Sequence, residues 1–259
     1  MAKIALVLTD NVLYKNDYVN RLVQKCSDSI ELIIELNFKH PSTNSYKHTL
    51  RYLKLLGVKG VLFIGFLTVG NFFKKLFANI SETKNGYSLQ QIANKNGIKY
   101  VHITNINSDE SIALLEKYSI DYVINSGNQI FREKILKKYE NRILNRHTSL
   151  LPAYGGIYPI YWQLLNGDTN GGVTLHWVDK KIDRGTIAYQ KSFTVDKKRS
   201  LFYHYKLAFE ISLELCITAI NDLNNNEVIS ITMIGDPSYY SWPEKKDIEN
   251  FFKLGLKIV

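Results

Sequence analysis

The sequence predicts an α/β protein: a Rossmann-like core with a mostly parallel sheet, followed by a small C-terminal β-hairpin and helix. Three observations carry that expectation. Short apolar runs of strand length alternate with amphipathic helical stretches through the first half of the chain, which is the pattern of successive βα units. The runs are continuous and rich in Ile, Val and Leu, as strands buried on both faces are. An Asn-Asn-Asn turn at 224–226 then separates a long helical stretch from a short tail punctuated by Gly and Pro.

In chain order, Ile4 to Leu8 is a first buried strand, a helical pattern runs from about Tyr18 to Cys26, and Ile30 to Leu36 is a second strand. A helix near His48 to Leu56, a strand at Val61 to Ile64 and helices near Phe72 to Phe77 and Leu89 to Asn96 continue the alternation. Tyr100 to Ile103 is the next strand. Ser108 caps a helix reaching Tyr118, with Asp109 and Glu110 in its first turn, and Tyr122 to Asn125 follows as a strand. From Arg142 to His147 a strand enters the turn Leu151 to Gly156, and a short helix covers Ile160 to Leu165. Strands at Gly172 to Val178 and Thr186 to Val195 flank a charged loop, and a long helix runs from Leu201 to Leu223. These elements form a core over residues 1–223. In the extension 224–259, Val228 to Ile234 and Tyr239 to Trp242 pair across Gly235-Asp236-Pro237, and Pro243-Glu244 opens a last helix.

With 259 residues, 45% of them apolar and 12% aromatic, the chain can bury one substantial core. Its formal charge of +9 is spread over single lysines, and the densest cluster, Lys197-Lys198-Arg199, is too short for a nucleic-acid arm. The reading is a solvated surface with some attraction for anionic ligands, and no nucleic-acid partner. Cys26 and Cys216 lie far apart in apolar helical patterns, which suggests buried thiols rather than a disulfide or zinc site. The N-terminus reaches Asp10 too soon for a signal peptide, and the run Val61 to Phe66 falls short of the roughly 20 residues that span a bilayer. A cytoplasmic protein without membrane insertion is expected.

The densest polar constellation is Asn145-Arg146-His147-Thr148-Ser149-Leu150-Leu151-Pro152, at the end of a predicted buried strand. A period of two places Asn145, His147 and Ser149 on one face, so an amide, an imidazole and a hydroxyl look into one space. Open α/β sheets bind ligands just beyond the carboxyl ends of their strands. His176, inside Thr174-Leu175-His176-Trp177, reads as a satisfied strand histidine, and His40, His48, His102 and His204 have no acidic or cysteine partners at ligand spacing, so no metal site is expected.

The stretch from Asn145 to Gln190 resembles the folate-dependent formyltransferase family, whose members carry Asn-x-His-x-Ser-Leu-Leu-Pro, a Tyr-x-Gly turn, Asn-Gly-Asp, Gly-Val-Thr and Asp-x-Gly in that order. Here these are Asn145 to Pro152, Tyr154 to Gly156, Asn166-Gly167-Asp168, Gly172-Val173-Thr174 and Asp183-Arg184-Gly185. The resemblance implies a catalytic three of Asn145, His147 and Asp183, and 10-formyltetrahydrofolate as cosubstrate. On that reading Asn145 and a protonated His147 donate to the oxyanion, and Asp183 holds the imidazole's charge and relays a proton. It also assigns Ser126, Gly127, Asn128, Gln129, Ile130 and Asp179 to the folate, with contacts made largely by backbone. Two positions depart from the family pattern: Gly155-Gly156 stands where many members have Arg-Gly, and Lys181 where many have Gly.

Known acceptors in the family are a methionyl initiator tRNA, a purine-pathway ribonucleotide and nucleotide-linked amino sugars, and a related hydrolase uses water. The 33 residues after Asn226 are too few for the tRNA enzyme's C-terminal barrel. The wording around Asn145, Ile157 to Trp162 and Tyr239 to Pro243 resembles sugar N-formyltransferases of surface polysaccharide (O-antigen, lipopolysaccharide) synthesis. The expected acceptor is therefore a nucleotide-linked amino sugar, with dTDP-4-amino-4,6-dideoxyglucose as the specific expectation. Tyr154, Tyr158 and Trp162 would line its pocket, with packing of the short helix as the alternative role for the last two. The tRNA, hydrolase and non-enzymatic folate-binding readings remain as alternatives. The edge of the C-terminal hairpin would be covered by a second subunit, giving a homodimer.

Overall fold

The computed structural model describes residues 1–9, 15–37, 45–80, 88–228 and 230–259. Three residues used in the sequence reading, Asp10, His40 and Ile229 within the expected strand Val228 to Ile234, lie outside these. The predicted α/β class is what the chain adopts. One seven-stranded sheet is built from β1 (Ile4–Thr9), β2 (Ile30–Leu36), β3 (Lys99–Ile103), β4 (Tyr122–Ser126), β5 (Ile143–His147), β7 (Asn170–Trp177) and β8 (Ile187–Thr194). Their order across the sheet is β3-β2-β1-β4-β5-β7-β8. The first five are parallel, and β5–β7 and β7–β8 are antiparallel. The order reverses between β1 and β4, the kind of crevice where doubly wound sheets hold ligands.

Side-chain alternation separates the two faces. Leu6, Ile33, Ile124, Leu144 and Leu175 pack beneath α1 (Lys15–Cys26), α3 (Leu89–Lys95) and α7 (Leu201–Asn225), whereas Val7, Ile34, Val123 and Ile143 pack against α4 (Asp109–Lys117) and α5 (Glu133–Lys138). Ser108 caps α4 by accepting from the Ser111 amide, and Ser88 and Gln91 form a reciprocal capping box on α3. Helix α5 was not expected: six residues with two buried positions leave almost no periodic signal.

Two expectations are overturned. Val61 to Ile64 is not a strand; it lies in α2 (Ser45–Ile80), which breaks at Gly57 (φ 62, ψ 176) and continues beyond it. A short apolar run has no period that separates strand from helix. Among the described residues the C-terminal hairpin also does not form. Ile231 instead makes an isolated bridge to Ile187 on the edge of β8, and β9 (Tyr239–Tyr240) pairs in parallel with β6 (Gly155–Gly156). The physical reason is burial: Ile231 and Ile234 are 53% and 87% exposed, so the first arm has no core face to gain. Gly156, at φ 96, admits β9 because a Cβ there would stand 2.1 Å from the Tyr240 carbonyl oxygen. The hairpin edge on which the homodimer expectation rested is therefore absent among the described residues.

The tail joins a third apolar cluster together with α6 (Pro159–Asn166) and the start of α7. From α8 (Lys245–Lys253), Phe251 is fully buried and stacks on Tyr161 at 4.6 Å. Leu256 and Ile258 are buried beside it, and the Leu201 and Phe202 amides donate to the Lys257 and Ile258 carbonyls. Phe251→Ala removes a large side chain from a shared core, so it should cost about 3 to 5 kcal/mol. Urea denaturation followed by far-ultraviolet circular dichroism should show one transition shifted as a whole, not an early loss of the tail alone.

Candidate active site

Register builds the site. Asn125 of β4, Asn145 of β5 and His176 of β7 lie side by side across three strands. All three point to the α4/α5 face, because residues one step away, Ile124, Leu144 and Leu175, enter the opposite core. Arg146 goes with that opposite face: its Nε donates to Ser126 Oγ at 3.2 Å and its guanidinium lies 4.5 Å from the centre of the Phe209 ring.

The hydrogen bonds along this row have one consistent direction. The Gly127 amide donates to Asn125 Oδ1 at 3.0 Å, which leaves Asn125 Nδ2 to donate to Asn145 Oδ1 at 2.7 Å. Asn145 Nδ2 then faces His176 Nε2 at 3.1 Å, and that nitrogen must accept. His176 carries its proton on Nδ1, which donates to the Trp177 carbonyl at 3.0 Å. Asn145 is thus held with its amide NH2 toward the loop after β7, one hydrogen committed to His176 and the other directed outward.

His147 ends β5 with its side chain 8% exposed, and Nε2 donates to the Tyr154 carbonyl at 2.8 Å. Its Nδ1 lies 3.8 Å from Asp183 Oδ2, and Asp183 Oδ1 lies 3.6 Å from His176 Nε2. Both separations exceed hydrogen-bond length. Burial pushes the His147 imidazole below its ordinary value of 6.5, outweighing the attraction of Asp183. Burial pushes the other way on Asp183, but the neighbouring His176 and His147 rings and the Gly156 amide, which donates to Oδ2 at 2.8 Å, hold it down at about 2. Burial thus favours the neutral imidazole, and with Nε2 donating to the Tyr154 carbonyl its Nδ1 is the nitrogen that faces the carboxylate.

The remaining motif residues shape the frame. Ser149 does not share the ligand face: β5 has ended, and its hydroxyl donates to the Ala153 carbonyl at 2.7 Å. Thr174 Oγ1 donates to the Ser149 carbonyl at 2.6 Å, and Gln190 Nε2 donates to the Leu151 carbonyl at 3.0 Å, so Gly-Val-Thr and the following strand pin the Leu-Leu-Pro turn. Asp183 sits at φ 53 in the loop closing onto this turn, and a Cβ on Gly185 would stand 1.8 Å from the Trp177 carbonyl oxygen, which explains the glycine in Asp-x-Gly. Among the described residues no cluster of three or more His, Cys, Asp or Glu side chains could hold a metal ion.

The residues assigned to folate flank the β1/β4 switch point. Ser126 is buried against Arg146, and Thr9 and Asn128 bond to each other there. Gln129 accepts from the Ile106 amide and donates to the Thr104 carbonyl, Ile130 is 54% exposed, and Asp179 lies exposed at the start of the Asp183 loop. The loop is tied down throughout: the Gly127 amide donates to Asn125 Oδ1, the Asn128 amide to Thr9 Oγ1, and the Ile130 carbonyl accepts from Asn107 Nδ2.

On the other side, Tyr154 stacks on Tyr240 at 5.0 Å, and Asn166 Nδ2 donates to both hydroxyls. Trp162 packs against Tyr240 at 4.8 Å with its indole N–H on the Ser241 carbonyl, and Tyr158 meets Trp242 edge-on at 5.1 Å. Tyr158 and Trp162 therefore anchor the C-terminal segment. Sequence reasoning missed Asn125 and Tyr240 as members of the site. The signal for Asn125 was an amide inside the apolar strand Val123-Ile124-Asn125; Tyr240 lay within the stretch Tyr239 to Pro243 that carried the resemblance, but its place on Tyr154 arises only because β9 reaches β6 through the fold.

Comparison with known proteins places this centre in context. A model described as formyl transferase matches residues 76–208. The methionyl-tRNA formyltransferase of Finegoldia magna is 36% identical over 103 residues, 39% of this chain and 33% of its own length. The chain spans from 33% to 44% of the first methionyl-tRNA formyltransferases it matches. Among solved structures, glycinamide ribonucleotide transformylase 1 of Symbiobacterium toebii aligns with a TM-score of 0.61 at 18% identity, covering 88% of this chain and 90% of its own. An N-formyltransferase of Helicobacter canadensis, solved with folinic acid and dTDP-3-aminofucose, aligns with a TM-score of 0.59 at 18% identity over 95% of this chain and 72% of its own.

Because the folded His147 titrates below its unfolded counterpart, the native state binds fewer protons between the two midpoints, and stability falls as pH drops from about 6.5 through the folded midpoint. Urea stability measured from pH 7 to pH 5 should fall less steeply in His147→Gln than in the wild type.

Proposed function

This chain belongs to the formyl transferase family, and from that premise we propose that it moves a formyl group from 10-formyltetrahydrofolate to the amino group of a nucleotide-linked amino sugar. The observation that carries the reading is the oriented Asn145 amide beside His147 and Asp183, with burial favouring the neutral imidazole and the carboxyl held down at about 2. The folate supplies the activated formyl carbon. Asn145 Nδ2–H holds the formyl oxygen as negative charge gathers on it during attack by the amine. His147 Nδ1 takes the proton that the attacking nitrogen must lose, and Asp183 stabilises the imidazolium so formed. The same proton returns from His147 to the folate nitrogen as its bond to the formyl carbon breaks, so the imidazole ends neutral.

The loop 127–130 and Asp179 would hold the folate, largely through backbone, and Tyr154 stands on the acceptor side. The sugar acceptor is supported by the alignment of an N-formyltransferase solved with dTDP-3-aminofucose along 95% of this chain. Our specific choice is dTDP-4-amino-4,6-dideoxyglucose, formylated in the cytoplasm for surface polysaccharide. A methionyl-tRNA acceptor is the second reading, favoured by the 36% identity to that enzyme over 103 residues.

Incubation with 10-formyltetrahydrofolate and a panel of dTDP- and UDP-amino sugars, read by mass spectrometry, should show the gain of one formyl group. Asn145→Ala should slow it by about 10² to 10³. Formylation of methionyl-tRNA with none of the sugars would replace the sugar reading by the second one.

A further inference from the structure

The second half of α2 plays no part in the centre described above, and its surface does not suit a helix surrounded by water. Thr49–Gly70 is long and apolar enough to cross a membrane by length and composition, yet only 17% of its most apolar stretch is buried. A helix apolar on every side is ordinarily a core helix or a membrane helix, and this exposure excludes the first. Val58, Leu62, Phe66, Val69 and Phe72 are 78%, 68%, 75%, 56% and 64% exposed, with Phe73 beside them at 50%. At about 100° per residue these six positions fill one arc of about 120°. The opposite side is held by the protein: Leu55 and Leu56 are buried, Val61, Phe63 and Ile64 pack on the third cluster, and the Phe63 ring lies 5.4 Å from that of Phe202.

We propose that this arc is a membrane-docking surface that lies in the interfacial layer of an anionic bilayer. Charge patterning favours lipid over a protein partner. No charged residue occurs between Lys59 and Lys74, so the helix carries no charge along the length of the arc. In sequence, cations flank it instead, with exposed Lys54 before Val58, exposed Lys59 next to Val58, and Lys74-Lys75 following Phe73, on a chain of net charge +9. Covalent reach rules out crossing. Strands β2 and β3, on either side of α2, are neighbours in one sheet, so a crossing would have to be reversed. The seven residues 81–87 before Ser88 extend at most about 25 Å, less than the roughly 30 Å hydrocarbon core. The helix therefore lies along the membrane, and the domain rests on it.

The test is flotation of the full chain with vesicles of phosphatidylcholine mixed with phosphatidylglycerol, comparing wild type with Leu62→Glu/Phe66→Glu. Both substituted side chains are exposed, and an unchanged thermal transition would show that the variant folds. Wild type should float with the vesicles, and the variant's bound fraction should fall more than about tenfold. The proposal is overturned if wild type stays with the free protein or if the variant floats equally well. It is equally overturned if wild type is a dimer, indifferent to lipid, that the variant turns into a monomer, because a second copy would then cover the arc.

Discussion

The orientation of the Asn145 amide is set by its neighbours on both strands, and the rest of the centre is arranged around it. A free asparagine side chain can turn over and exchange its oxygen for its nitrogen at little cost. Here the Gly127 amide fixes Asn125, Asn125 fixes the Asn145 oxygen, and the His176 lone pair receives the Asn145 nitrogen. The chain of bonds ends on a backbone carbonyl, at Trp177, which cannot reverse it. A donor aimed in this way needs no reorganisation when charge develops on a bound carbonyl, and that preorganisation is what makes a single hydrogen bond effective in a closed site.

The imidazole and carboxylate complement that donor because burial acts on them with opposite results. Desolvation disfavours charge on both, but at Asp183 it is outweighed by the two histidine rings and the Gly156 amide, whereas at His147 it prevails over the attraction of Asp183. A neutral base beside a fixed anion can accept a proton and have the resulting cation stabilised in place. The geometry depends on glycine at two close approaches. Gly185 lets the Asp183 loop pass over the end of β7, and Gly156 lets β9 lie against the turn that carries Tyr154. Packing of the tail into the third cluster thus bears on the acceptor side of the site as well as on stability.

Much of this was legible in the sequence, for identifiable reasons. Ile4 to Leu8, Ile30 to Leu36 and Tyr122 to Asn125 appear as strands because both their faces are buried. Asn145 and His147 appear on one face because the strand has a period of two. The charge state of His147 was not legible, since it depends on how completely the turn and loop cover it. The strand assigned at Val61 to Ile64 failed for want of a period, and the hairpin failed because the competing partner, Gly155–Gly156, lies far away in sequence. The exposure of the α2 arc is likewise a property of the fold: composition reports that a helix is apolar and says nothing of whether anything covers it.

The most direct test of the oriented amide is a double-mutant cycle on turnover number, with 10-formyltetrahydrofolate and dTDP-4-amino-4,6-dideoxyglucose, for Asn125→Ala, Asn145→Ala and the pair. If Asn125 acts by aiming Asn145, the single Asn125 change should slow turnover by about tenfold, and adding it to Asn145→Ala should cost nothing further. Losses that multiply in the double variant would mean that the two amides act independently, and would contradict the account.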